Sequence, residues 1–420
     1  MVGGSSNSVT VRSLTLGGML ALVVVLLSVM SGVVGFVLGE GNEQQGGAAG
    51  TRPSDSADFG ILDEIYKVIR EDFVDPTAVD QQVLRQGAID GVIEALNDPH
   101  TIYIDPQSYA LGVDVISGEF QGIGARVEQD STTGEIIIVA PFRDSPAEEA
   151  GIRSGDVVLA VDGESTEGWS VSQAVRRIRG PDGSQVALTV RHTNGDAEDI
   201  TVTRDTIVIP TVFTRPLEDA DGSAVNDLAY VELEQITEKT VPDLRTTVAE
   251  IIDQGYRGII LDLRRNPGGS LSATVDVADL FLEGGRILTQ VDREGNETTY
   301  DAHPGDAGES IPLVLLVGNG SASGAEVIAG ALRDHQRAIL VGETTFGKGS
   351  VNHLRELSDG GAIYITIARW LTPNGEQIEG IGLAPDIPVT PSEQDIEAHR
   401  DVQLYTAIDH LRQEVQAGVP

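Results

Sequence analysis

Gly258-Ile259-Ile260-Leu261-Asp262-Leu263 is a run of strand formers without polar alternation, the pattern of a strand covered on both faces. Pro267-Gly268-Gly269 and a helical stretch through Leu282 follow it. The order then recurs. Ile311 to Val317 reads as a second buried strand with a loop and a helix to Arg333, and Ala338 to Gly342 as a third strand. Such alternation calls for an α/β core whose strands are covered by helices, here over residues 206–390.

The chain before this core has a different texture. Over residues 105–205, Ile136-Ile137-Ile138-Val139, Asp156 to Val161 and Val186 to Val190 read as strands between turn signals, including Asn194-Gly195 and Pro181-Asp182-Gly183. Short helices are expected from Ser145-Pro146-Ala147 and over Ser170 to Arg179, so this is a small, mostly β domain. Residues 58–104 carry two amphipathic helical runs separated by Pro76, with Ile61, Ile65 and Val68 on the first and Val83, Val92 and Leu96 on the second. Their apolar stripes need a covering surface, supplied by the next domain or by another subunit of a homo-oligomer. Residues 391–420 hold a last amphipathic helix from Asp401 to Val415.

At the other end, no residue from Leu14 to Gly39 is charged. About 25 helical residues at ~1.5 Å each span the ~30 Å hydrocarbon core of a bilayer. Arg12 precedes the stretch, whereas Glu40 and Glu43 follow it, so positive-inside weighting leaves the N-terminus in the cytoplasm and the body outside. A cleaved signal peptide is the alternative, but the apolar region is long for one and no Ala-x-Ala-like site closes it. The expectation is a membrane anchor over 1–39, a flexible Gly-rich linker over 40–57, and a single-pass protein with an extracytoplasmic body.

Composition narrows the chemistry. A formal charge of −37 argues against nucleic acid as a partner, because phosphate recognition needs clustered Lys and Arg. The absence of cysteine removes thiolate nucleophiles and Cys-ligated metals. Seven His without metal-ligand spacing give no support to a metal centre, and no cofactor is expected.

Three loops follow the core strands. In Arg264-Arg265-Asn266-Pro267-Gly268-Gly269, glycines expose backbone N–H groups as an oxyanion hole requires, although for this loop taken alone a tight strand-to-helix turn is the favoured explanation. In Asn319-Gly320-Ser321-Ala322-Ser323-Gly324-Ala325-Glu326, Ser323 falls at a helix start, where unpaired N–H groups favour negative charge. Ser323-x-x-Glu326 also has the form of a capping box. The third loop, Thr344-Thr345-Phe346-Gly347-Lys348-Gly349-Ser350, approaches a P-loop. Gly349 stands where Ser or Thr is needed, however, and a strand follows instead of a helix. A solvated surface lysine is the ordinary alternative, but Phe346 and the flanking strands make a buried one reasonable.

Together these loops resemble the carboxy-terminal processing (tail-specific) serine peptidases, from about Phe59 to the end of the chain. The strings are Asp98-Pro99-His100-Thr101, Leu261-Asp262-Leu263-Arg264-x-Asn266-Pro267-Gly268-Gly269, Ser321-Ala322-Ser323-x-x-Glu326 and Phe346-Gly347-Lys348-Gly349. The resemblance implies Ser323 as nucleophile and Lys348 as general base. It also implies that residues 105–205 are a PDZ domain inserted before the α/β peptidase core, with Gly122-Ile123-Gly124 binding the carboxylate of a protein or peptide tail. Gly324, with Gly268 or Gly269, would hold the oxyanion. Where the family usually carries Gln four residues after the lysine, this chain has Asn352, whose expected task is to orient Lys348. His335 and His353 fall in a helix tail and a strand, which disfavours a Ser-His-Asp triad. The reading from another class is an inactive PDZ scaffold that only captures tails; retention of both Ser323 and Lys348 speaks against it.

Overall fold

The computed structural model describes residues 59–417, apart from 107, 110–118, 131–132 and 143. The expected anchor and linker lie outside the described residues; among those described, no helix is long and apolar enough to cross a membrane.

Six strands form the central sheet in the order Val212–Thr214, Ala229–Leu233, Ile259–Asp262, Leu313–Val317, Ile339–Gly342 and Ile387–Pro388. All neighbours are parallel except the first pair. Every residue of Ile259–Asp262 and Leu313–Val317 is buried, as their unbroken apolar runs require. Helices Thr240–Asp253, Leu271–Asp279 and Gly324–Asp334 bury Leu244, Val277 and Ile328 in one core. Helix Val402–Ala417 closes the opposite face through Leu404, Ile408 and Leu411. Arg264 ties that helix down by pairing with Asp262 at 2.6 Å and Asp401 at 2.8 Å.

Beside this sheet stands a second, antiparallel one: Ile102–Ile104, Ala362–Leu371, Gly285–Asp292 and Glu297–Ala302, with Ser350–Glu356 also paired to Ala362–Leu371. It draws Ile102–Ile104 out of the expected helical N-terminal region and into the peptidase body. The preceding helices, Gly60–Asp72 and Gln81–Glu94, form as their periodicity predicts, yet neither buries a residue within this chain.

The mostly β domain is a sheet of Ala125–Gln129, Ile136–Pro141, Val157–Val161, Gln185–Arg191 and Ala197–Thr203 in that order, with Glu164–Ser165 paired to Val157–Val161. Ser170 caps the helix Val171–Ile178 in a reciprocal box with Gln173. Its core is separate from that of the peptidase body and contains Ile136, Ile138, Val158, Leu188 and Val202. Glu119–Gly122 is a strand and pairs antiparallel with Asp205–Val208. These two strands join the domain to the rest of the molecule.

Candidate active site

The three loops leave the carboxyl ends of adjacent parallel strands, where α/β sheets gather functional groups. Asn266 organises the first. It is fully buried, its Nδ2 donates to the Leu233 carbonyl at 2.9 Å, and its Oδ1 accepts the Gly268 N–H at 2.8 Å. Gly268 has φ +96°, and a Cβ there would lie 2.6 Å from the Gly324 nitrogen. At Gly269 a Cβ would be 1.8 Å from the Ile236 carbonyl oxygen. Both positions therefore admit only glycine: Gly268 is pressed against Ser323 and Gly324, and Gly269 against the Ile236 backbone.

Ser323 has φ +53° and ψ −116°, a conformation that costs a residue with a side chain on the order of 1–3 kcal/mol. It sits at the start of the helix Gly324–Asp334, and its N–H donates to Glu326 Oε2 at 2.9 Å. Ser321 fixes the turn before it through its hydroxyl, which donates to the Leu263 carbonyl at 2.7 Å. Ser323 lines a cleft together with Gly269, Gly324, Thr274, Tyr364 and Trp370. Gly269 and Gly324 thus present backbone to the cleft. Gly268 does not, because its N–H is already taken by Asn266, so of the two alternatives for the second oxyanion donor Gly269 fits.

Lys348 is buried. Burial pulls its ammonium down to about 8, while the carboxylates of Glu379, Glu326 and Asp98 oppose the fall. Phe346 contributes nothing to this burial, being 58% exposed. The enclosure comes from the antiparallel sheet instead. The Trp370 indole donates to the Lys348 carbonyl at 3.1 Å, and Nζ reaches the Tyr364 hydroxyl at 3.4 Å. Among the described residues no hydrogen bond joins the Ser323 hydroxyl to Nζ.

What connects the two loops is Glu326, a residue that the sequence reading treated only as a helix cap. Its side chain is fully buried and accepts four hydrogen bonds: Ser323 N–H and Lys348 N–H on Oε2, Gly347 N–H and the Thr345 hydroxyl on Oε1. Burial pushes its carboxyl up, against the pull of those four donors. The backbones of Ser323 and Lys348 are therefore held on one carboxylate oxygen, each at 2.9 Å.

Asn352 lines the cleft but does not hold Lys348. Its Nδ2 donates to the His100 carbonyl at 3.0 Å and to the Thr366 hydroxyl at 3.1 Å, and its Oδ1 accepts from the Ser350 hydroxyl at 3.3 Å. A β-bulge between Val351 and Asn352 re-aims the side chain. The Asp98-Pro99-His100-Thr101 string is what it meets. Asp98 accepts from the Thr101 hydroxyl at 2.6 Å, and His100 pairs with Glu379 at 2.8 Å. His335 lies on the Arg286 carbonyl at 2.7 Å, and neither it nor His353 lines the cleft.

In the β domain, Gly122 ends a strand, and Gly124 turns the chain with φ +74°. The Ile123 side chain is 2% exposed and belongs to the domain core, so it supplies packing and leaves only its backbone for a tail.

Residues 227–389 match Peptidase family S41, residues 137–192 match a PDZ domain, and residues 38–108 match the Activating protease CtpB N-terminal domain. The chain is 36% identical over 330 residues to the carboxy-terminal processing protease CtpA of Bacillus subtilis, covering 78% of this chain and 68% of that one. It is 37% identical over 332 residues to a carboxy-terminal-processing protease of Bartonella bacilliformis, covering 78% and 74%. With a carboxyl-terminal-processing protease of Synechocystis it shares 37% over 328 residues, covering 77% and 76%.

Proposed function

This chain belongs to peptidase family S41, among the carboxy-terminal processing serine peptidases, and from that premise we propose that it cuts peptide bonds through an acyl-enzyme on Ser323 with Lys348 as general base. The observation that carries the reading is a buried lysine, at about 8, whose N–H shares a carboxylate oxygen with the N–H of a strained serine. Neutral Lys348 takes the Ser323 hydroxyl proton as oxygen attacks the substrate carbonyl. The N–H groups of Gly269 and Gly324 stabilise the oxyanion. Lys348 then delivers the proton to the leaving amine, and water releases the acyl group.

Substrates are proteins or peptides selected by free C-terminal tails. Among the described residues Ala125–Gln129 lies at the end of its sheet and pairs with Ile136–Pro141 alone, with helix Val171–Ile178 packed near it. A tail added as a strand there would bring its carboxylate to the turn at Gly122-Ile123-Gly124. One assay tests both halves: the full chain with a peptide ending in a free apolar residue and with its amidated twin, across a pH series. The value of kcat/KM should climb with pH to a midpoint near 8, because only the neutral amine accepts a proton. Amidation should weaken binding by removing charge-assisted hydrogen bonds. A flat pH profile would remove Lys348 as base; equal cleavage of the twins would remove the tail reading alone.

The anchor reading rests on the uncharged stretch Leu14 to Gly39, with Arg12 before it and Glu40 after it. Protease added to spheroplasts should then digest the body while the stub before residue 14 stays protected. Full protection of the body would reverse the orientation.

A further inference from the structure

Asn352 is occupied elsewhere, so some other group must set the direction of the Lys348 amine. We propose that the Tyr364 hydroxyl is the positioning group for Lys348, in the role that the family resemblance implies for Asn352; this rests on the Ser323–Lys348 reading. Tyr364 is 3% exposed and stands on the antiparallel strand Ala362–Leu371, and it lines the same cleft as Ser323. Its hydroxyl accepts from Nζ at 3.4 Å, and Nζ also lies 5.2 Å from the centre of its ring.

The geometry suits the task. A neutral amine has two N–H bonds and one lone pair. Donating one N–H to Tyr364 fixes rotation about the last side-chain bond and leaves the lone pair for the Ser323 proton. Burial pushes the Tyr364 phenol up, so it stays neutral and adds no competing charge. The charged neighbours of Lys348 lie on other elements: Glu326 on the nucleophile helix, Glu379 after the antiparallel sheet, and Asp98 before it, with His100 paired to Glu379. None of these carboxylates is within ion-pair distance of Nζ, and the hydrogen bond that Nζ makes is to Tyr364.

The test is Tyr364→Phe in the full chain, run beside Ser323→Ala and Lys348→Ala. Phenylalanine keeps the ring and its packing. A misaligned base should lower kcat by roughly tenfold or more with KM within about twofold, the size expected of general-base catalysis. Accepting a hydrogen bond favours the ammonium form, so its loss should also move the acidic limb of the pH profile to lower pH. The limb's position does not depend on how much of the protein is folded, so a partial folding defect cannot imitate it. Unchanged kcat and an unmoved limb, with Lys348→Ala inactive, would overturn the Tyr364 assignment and leave the dyad standing. Activity in Lys348→Ala would overturn both.

Discussion

Ser323→Ala, Lys348→Ala and Lys348→Arg should each retain less than about a thousandth of wild-type peptide hydrolysis, measured on the full chain. The serine variant lacks the oxygen on which the proposed acyl-enzyme would form. In Lys348→Arg the guanidinium stays protonated at any workable pH, so charge is kept and basicity is lost. Misfolding does not explain the expected loss, and stability measurements can show it. The lysine's folded value of about 8 against 10.5 when free means that burying its charge costs the fold roughly 3 kcal/mol. For a base with a lowered folded value, that penalty is complete below pH 8 and recedes as pH rises from 8 to 10.5. At neutral pH, Lys348→Met should therefore be inactive yet melt no lower than wild type. Full activity in Ser323→Ala would sink the mechanism outright.

Glu326→Gln should be nearly as damaging to activity and, unlike the lysine variants, damaging to stability. All four partners of this carboxylate are donors. An amide turns one acceptor oxygen into an NH₂ group facing them, which strands at least one buried N–H or O–H at about 1–3 kcal/mol each. The two loops then lose their shared anchor. A fall in kcat of roughly a hundredfold with a melting point several degrees lower is the expected result. Wild-type kcat in this variant would show that Glu326 only caps its helix.

The sequence carried the central sheet because Ile259–Asp262 and Leu313–Val317 are apolar at every step but Asp262, a signal that needs no tertiary context. The antiparallel sheet was legible only in the strand that follows Lys348. Glu297–Ala302 is largely polar, and one of the sheet's pairs joins Ile102 to Tyr364 across most of the chain. The site divided in the same way. Ser323, Lys348 and the glycines lie on loops whose motifs are local strings. Asn352 was expected beside Lys348 on the family resemblance alone; its side chain is one methylene shorter than the usual Gln and bonds to His100, Thr366 and Ser350 instead. Tyr364 had no signal at all: its hydroxyl meets Nζ only once Ala362–Leu371 folds against the strand that follows Lys348.

The two strands that carry the PDZ domain have a practical consequence. Gly122 and Asp205 face each other as the last pair of that ribbon, so their Cα atoms are about 5 Å apart. Everything between them enters and leaves through one doorway. A two-residue Asn-Gly turn spans such a gap, so joining 122 to 205 by that turn would close the ribbon as an ordinary hairpin. The domain is thus a cartridge: its 82 intervening residues can be exchanged for another domain without re-registering any strand of the peptidase body.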